Sequence, residues 1–145
     1  MAEKGPEPRT TEQIFAGKRV ALVGVPGAFT PVCGQRHLPG FLANAGKLKA
    51  RGIDDIAVTA VNDVFVMDAW AKSAGAGGKI IFLADGNGDF ARALGLSADL
   101  SAAGLGVRSQ RYSMIVENGL VRQLNVEASP GELECSSAEV LLGQI

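Results

Sequence analysis

The sequence predicts one α/β domain built on a mixed central β-sheet with helices on its faces. Three observations carry this. The chain has 145 residues, 47% of them hydrophobic, which is enough for one core and short for two. Apolar runs of strand length alternate with helical patterns from Arg19 to Leu94, the order of parallel βαβ units. Beyond that, two strand-like runs flank Asn118-Gly119, the strongest short signal for an antiparallel hairpin.

In chain order, residues 1–9 hold two of the six prolines and read as a flexible lead-in to a single domain over residues 10–145. Thr10 and Gln13 have capping-box spacing and Gly17 suits the position after a helix, so a short helix is expected over Glu12–Ala16. Arg19–Val25 is a continuous apolar run, the pattern of a strand buried on both faces. The loop Pro26–Cys33 follows, then a helical pattern to about Lys49 that Pro39 should bend. Ile56–Val61 is a second buried strand. Asp63–Ser73 reads as a helix with Val64, Met67, Trp70 and Ala71 available for one face. Lys79–Ala84 is a third strand and Phe90–Leu94 a short helix. Arg111–Val116 and Leu120–Val126 form the hairpin, and Ser136 to Glu139 has capping-box spacing for a last helix through Leu142. Parallel units joined to an antiparallel hairpin give the layout of a thioredoxin-like fold.

Composition excludes several functions. Fourteen Lys and Arg against fifteen Asp and Glu leave no basic footprint for nucleic acid and no polybasic patch for a membrane. The opening residues are polar and lack the apolar core of a secretory signal. The longest uncharged apolar stretch, Val20–Phe29, is broken by Gly24, Pro26 and Gly27, so no bilayer span is expected. A cytoplasmic location follows as the expectation. Two cysteines and one histidine, His37, make neither a disulfide scaffold nor a four-ligand zinc site. Gly75–Lys79 lacks phosphate-loop spacing, and Asp85–Asp89 lacks the later ligands of a calcium loop, so both read as turns. Either the cysteines are inert core residues or they are the chemistry.

Cys33 follows a buried strand and falls where a helix begins. Unpaired N–H groups and the positive end of the helix dipole there favour a thiolate. Thr30 can offer its hydroxyl to the sulfur and to a substrate. Pro26 and Pro31 stiffen the loop and lack N–H donors, which suits them to shield the sulfur. His37 shares a helical face with Cys33, so a Cys–His dyad is conceivable, although a cysteine hydrolase normally takes its base from elsewhere in the chain and no other histidine is present. Cys33-Gly-Gln-Arg36 is not a Cys-x-x-Cys dithiol motif.

The segment Val25-Pro-Gly-Ala-Phe-Thr-Pro-Val-Cys-Gly-Gln-Arg-His-Leu-Pro-Gly-Phe41 closely resembles the active-site segment of peroxiredoxins, in particular their type II or peroxiredoxin-five branch. The family's Pro-x-x-x-Thr-x-x-Cys falls on Pro26, Thr30 and Cys33. The resemblance continues through Ala60–Val66, Leu83-Ala-Asp85, Gly104–Tyr112 and the hairpin. It implies that Cys33 is a peroxidatic cysteine that attacks a hydroperoxide and becomes a sulfenic acid. It also implies substrate contacts from Thr30, Arg111, Gly27 and the backbone of Val32 and Cys33. Arg111 matches the family's active-site arginine, with Arg108 the weaker candidate. Cys135, expected just before the capping box of the last helix, matches the resolving cysteine of animal-type members, which closes an intramolecular disulfide. Some local unwinding near Cys33 is then expected. The alternative is that Cys135 is incidental and an external thiol resolves.

The resemblance further implies no metal, haem or flavin cofactor. It implies reduction by thioredoxin or by glutaredoxin and glutathione, and a homodimer. A competing reading is a redox-sensing or relay protein in which Cys33 oxidation alters a partner interface. Two departures from the family stand out. Most of its usual N-terminal strand extension is missing, and Gly34 follows the cysteine where a hydroxyl residue is common.

Overall fold

A computed structural model describes residues 5–145. The first four positions of the expected lead-in lie outside the described residues. A five-stranded sheet runs in the order β3-β2-β1-β6-β7. Its strands are β1 (Arg19–Gly24), β2 (Asp55–Ala60), β3 (Ile81–Ala84), β6 (Tyr112–Glu117) and β7 (Leu120–Val126). β1, β2 and β3 pair in parallel, while β6 is antiparallel to β1 and to β7. This is the thioredoxin-like arrangement expected from the sequence.

The central strands are apolar throughout because both faces of the sheet are covered. On one face Ala21, Val23, Ile56, Val58 and Ile115 pack against Leu38, Phe41, Leu48, Trp70 and Leu141. On the other, Val20, Leu22, Ala57, Met114 and Val116 pack with Phe15, Leu96 and Tyr112. The alternation of β1 residues between the two clusters is the two-residue period of a strand.

Helix α1 (Thr11–Phe15) opens with the expected capping box: Gln13 N–H donates to Thr10 Oγ1 and Thr10 N–H donates to Gln13 Oε1. The helical run after the loop starts at Pro31, whose missing N–H costs nothing in a first turn. It widens into a π-turn at Cys33–His37, where Leu38 N–H donates to the Cys33 carbonyl. Pro39 follows in α2 (Leu38–Ala43). A proline supplies no N–H and its ring crowds the carbonyl four residues back, so the wider turn in front of it is the expected bend. The run divides again at Asn44, whose Nδ2 donates to the Gly40 carbonyl, before α3 (Ala45–Ala50).

Asp63 caps α4 (Val64–Ala74) by accepting from Val66 N–H; Met67 and Trp70 are its buried face, with Val64 and Ala71 half-buried. Asp85 takes the N–H groups of Phe90 and Ala91 at the start of α5 (Asp89–Leu94), so the Asp85–Asp89 segment is a turn and a cap. Pro6–Arg9 line a groove of about 780 Å3 beside β3.

Two features differ from expectation. A small ribbon, β4 (Ser97–Asp99) against β5 (Val107–Ser109), precedes the hairpin. Strands of three residues are too short to show a period in sequence. The last helix, α6 (Ala138–Leu142), is capped by Ser137 rather than Ser136. The Ser136 hydroxyl is unavailable because it donates to a buried carboxylate, Glu127. Cys135 therefore stands one residue further from the helix than expected.

Between β6 and β7, Asn118 (φ 47°) and Gly119 (φ 80°) both take positive φ, as a two-residue hairpin turn demands. At the other end of β6, Tyr112 pairs with Gly24 and lays its ring over that residue. A Cβ at Gly24 would lie 2.0 Å from Tyr112 Cε1, so the close approach requires glycine. Gly24→Ala is expected to destabilise the fold by about 1–3 kcal/mol through overpacking, read as a lower urea midpoint; an unchanged midpoint would contradict the contact.

Candidate active site

Cys33 is fully buried at the start of the helical run. The first backbone bond of that run is Gly34 N–H to the Thr30 carbonyl, at 2.7 Å. The N–H groups of Val32 and Cys33 therefore lie ahead of the ladder, on the sulfur's own turn, as orphan donors of a helix start. The sulfur has one strong partner. Arg111 Nη2 donates to Cys33 Sγ at 3.1 Å.

Arg111 stands immediately before β6 and is 2% exposed. Its other bonds go to neutral acceptors. Nε and Nη2 donate to the Pro130 carbonyl at 3.1 and 2.9 Å, and Nη1 donates to His37 Nδ1 at 3.0 Å. It takes part in none of the ion pairs among the described residues. A guanidinium cannot shed its proton, and an uncompensated buried charge is costly. The Cys33 sulfur is the one group bonded to Arg111 that can carry negative charge.

The same contacts set the state of His37. Arg111 is donor only, so Nδ1 must accept, and Nε2–H donates to the Ser136 carbonyl at 2.8 Å. His37 is neutral, with its proton on Nε2. Burial lowers its pKa from 6.5 to about 4, and Arg111 pulls in the same direction against the Ser136 bond and the Glu127 charge. A ring whose one free lone pair is committed to a guanidinium cannot serve Cys33 as a base. His37 instead bridges Arg111 and the Ser136 carbonyl.

The other expected site residues divide. Pro26 and Gly27 are buried under the loop, whereas Pro31 is exposed and starts the helix rather than shielding sulfur. Thr30 Oγ1 donates to the Gly27 carbonyl at 2.7 Å. Its single proton is thus committed away from Cys33, which corrects the expectation of a bond to sulfur and leaves the oxygen lone pairs to accept. Arg108 donates to the Leu105 carbonyl and does not bond to the sulfur, although its Nη1 would be 3.1 Å from a Cβ at Gly27. Arg111, not Arg108, is the arginine on Cys33.

Cys135 is half-buried and Cys33 buried, and both are free thiols. Cys135 Sγ–H donates to the Val126 carbonyl at 3.3 Å. Burial and the neighbouring Glu127 carboxylate push its pKa up. Glu127 and the Pro130 carbonyl were not singled out in the sequence. A carboxylate in an Asn-Val-Glu strand end and one carbonyl in a loop carry no motif, and only their positions give them roles.

Comparison with known proteins bears on the family and the fold. The Redoxin family model matches residues 1–142. Peroxiredoxin-2C of Oryza sativa is 51% identical over 89% of this chain and 79% of its own length. Chloroplastic peroxiredoxin-2E of Arabidopsis thaliana is 48% identical over 92% of this chain, which spans 57% of that relative's length. Among solved structures, reduced Prx3 of Vibrio vulnificus in complex with H2O2 has a TM-score of 0.87 and 51% identity, covering 92% of this chain and 85% of that one. A Burkholderia cenocepacia structure described as a thioredoxin reductase has a TM-score of 0.95 and 45% identity, covering 100% and 87%. No helix among the described residues is long and apolar enough to cross a membrane. The relatives include chloroplastic and mitochondrial proteins, so the cytoplasmic expectation does not follow from the likeness.

The neutral His37 makes stability depend on pH. Its folded pKa, about 4, lies below the unfolded value of 6.5. The unfolded chain therefore binds the extra proton between those limits. The contribution, on the order of 3 kcal/mol, is intact above pH 6.5 and is lost as pH falls through 4. In folded His37→Gln, denaturant-derived stability should fall less steeply than wild type over that window; identical slopes would contradict the assignment.

Proposed function

The chain belongs to the redoxin family and, within it, to the peroxiredoxins, and on that footing we propose that it is a thiol peroxidase acting on hydrogen peroxide and alkyl hydroperoxides through Cys33. The observation that carries the proposal is the buried Arg111 whose one anionisable partner is the Cys33 sulfur. The Cys33 thiolate attacks the terminal peroxide oxygen. A sulfur–oxygen bond forms, the oxygen–oxygen bond breaks, and the departing hydroxide or alkoxide takes a proton to leave as water or alcohol. Cys33 is oxidised by two electrons to a sulfenic acid and the peroxide is reduced.

Arg111 fits both parts of the step, since a fixed fork of donors stabilises charge on sulfur and on the departing oxygen. The Val32 and Cys33 N–H groups, Gly27 and the Thr30 oxygen are proposed to hold the peroxide. Pro26 is buried beside them and keeps a donor-free wall.

Cys135 is proposed to resolve the intermediate. Its thiolate attacks the sulfenic sulfur, a disulfide forms, and the sulfenic oxygen leaves as water with one proton. Thioredoxin, or glutaredoxin with glutathione, then returns two electrons and two protons to regenerate both thiols. Support comes from the bonding that links the two loops: the carbonyl of Ser136, next to Cys135, holds His37 of the Cys33 helix. A homodimer completes the reading, and exposed Phe29 at the Cys33 loop and Phe65 on α4 supply apolar surface for it.

A peroxide-consumption assay with thioredoxin tests this. Cys33→Ser should abolish consumption, and Arg111→Gln should slow Cys33 oxidation by about 10²–10³ in rate. Cys135→Ser should lose thioredoxin-linked turnover while still consuming about one peroxide per chain. Activity surviving in Cys33→Ser would end the proposal. Full turnover in Cys135→Ser would make that cysteine incidental, and stoichiometric peroxide use by wild type with tight partner capture would favour a redox sensor.

A further inference from the structure

We infer that Glu127 is a positioning residue for the chemistry of Cys33: it latches the loop of residues 127–136, whose carbonyls hold Arg111 and His37 in place. The consequence for turnover rests on the peroxidase reading, whereas the latch itself rests on geometry.

The hairpin brings Glu127 to this place. The last β6–β7 pair is Tyr112 with Val126, and one step further Glu127 N–H donates to the Arg111 carbonyl at 2.9 Å. Glu127 and Arg111 thus leave the sheet opposite each other. The Glu127 carboxylate then turns back to the far end of its own loop. Oε1 accepts from Glu134 N–H at 3.0 Å. Oε2 accepts from the N–H groups of Cys135 and Ser136 at 3.0 and 2.6 Å, and from Ser136 Oγ at 2.5 Å. Glu127 is buried. Burial alone would push its pKa up, yet these four donors outweigh it and hold the carboxyl below its usual range.

Closing the loop this way fixes two carbonyls inside it. That of Pro130 takes Arg111 Nε and Nη2, and that of Ser136 takes His37 Nε2–H. His37 Nδ1 in turn receives Arg111 Nη1. Every acceptor that aims the guanidinium, apart from the sulfur itself, is therefore on the latched loop or held by it. Glu127 makes no hydrogen bond to Cys33, so its influence passes through Arg111.

The latch acts on both cysteines in opposite senses. It keeps Arg111 on Cys33 while its charge disfavours the thiolate of Cys135.

The test uses the full chain, with alkylation by iodoacetamide at neutral pH followed by mass spectrometry of each cysteine. In Glu127→Gln, Cys33 should alkylate about tenfold more slowly, the worth of one charge-assisted hydrogen bond, while Cys135 alkylates faster. General loosening would instead speed both. Rates unchanged at both sites, or faster at both, in a protein with wild-type circular dichroism would overturn the inference. Should Glu127→Gln fail to fold, Ser136→Ala keeps the carboxylate and removes one donor. It should slow Cys33 to a smaller degree without slowing Cys135, and a folded Ser136→Ala with wild-type Cys33 alkylation overturns the inference equally. Alkylation needs no peroxide, so the two readings separate. A wild type that consumes no peroxide removes the peroxidase alone, and unchanged alkylation beside normal turnover removes the latch alone.

Discussion

A buried guanidinium with no carboxylate on it governs this molecule. Arg111 is enclosed at the end of the sheet and bonds to one carbonyl, one imidazole nitrogen and one sulfur. Its charge cannot be titrated away, so the surroundings must either supply a counter-charge or bear the cost of its absence. The carbonyl and the neutral ring offer only dipoles. The sulfur of Cys33 is the one partner able to bear a counter-charge. A carboxylate on Arg111 would supply that counter-charge in its place. Glu127 is close by in register but spends its oxygens on backbone and hydroxyl donors instead.

The fold delivers Arg111 and Cys33 from opposite directions. Cys33 comes from β1, through the loop, to the first turn of a helix. Arg111 comes from the start of β6, which pairs with β1 so that Gly24 meets Tyr112. The register of one antiparallel pair thus brings the residue before Tyr112 level with the loop after Gly24. The same hairpin sets Glu127 across from Arg111 on β7's far end. A one-residue slip in either pairing would turn alternate side chains to the other face of the sheet and separate the site.

Much of this was legible in the residues. The two-faced burial of β1 and β2, the Thr10 capping box and the Asn118-Gly119 hairpin are local signals with local causes. The place of Cys33 on a strand–loop–helix segment was equally plain, and the motif around it identified the family. Less visible were features set by competition between distant groups. Ser136 and Ser137 both suit a helix cap, and Glu127 decides between them by engaging Ser136. The Thr30 hydroxyl gives its proton to the Gly27 carbonyl and not to the sulfur. His37 looks like a partner for Cys33 on helical spacing, but its lone pair faces Arg111.

The sequence by itself determined the order of elements, the family and the candidate cysteine and arginine, because strand period, capping and a contiguous motif act over a few residues. Only the tertiary structure decided which atoms share protons. Arg111 lies 78 positions from Cys33 and 74 from His37, and Ser136 lies 99 positions from His37. Over such separations spacing carries no information about distance or direction. The closed sheet and its hairpin register do, and they give the protonation state of His37, the aim of Arg111 and the latch at Glu127.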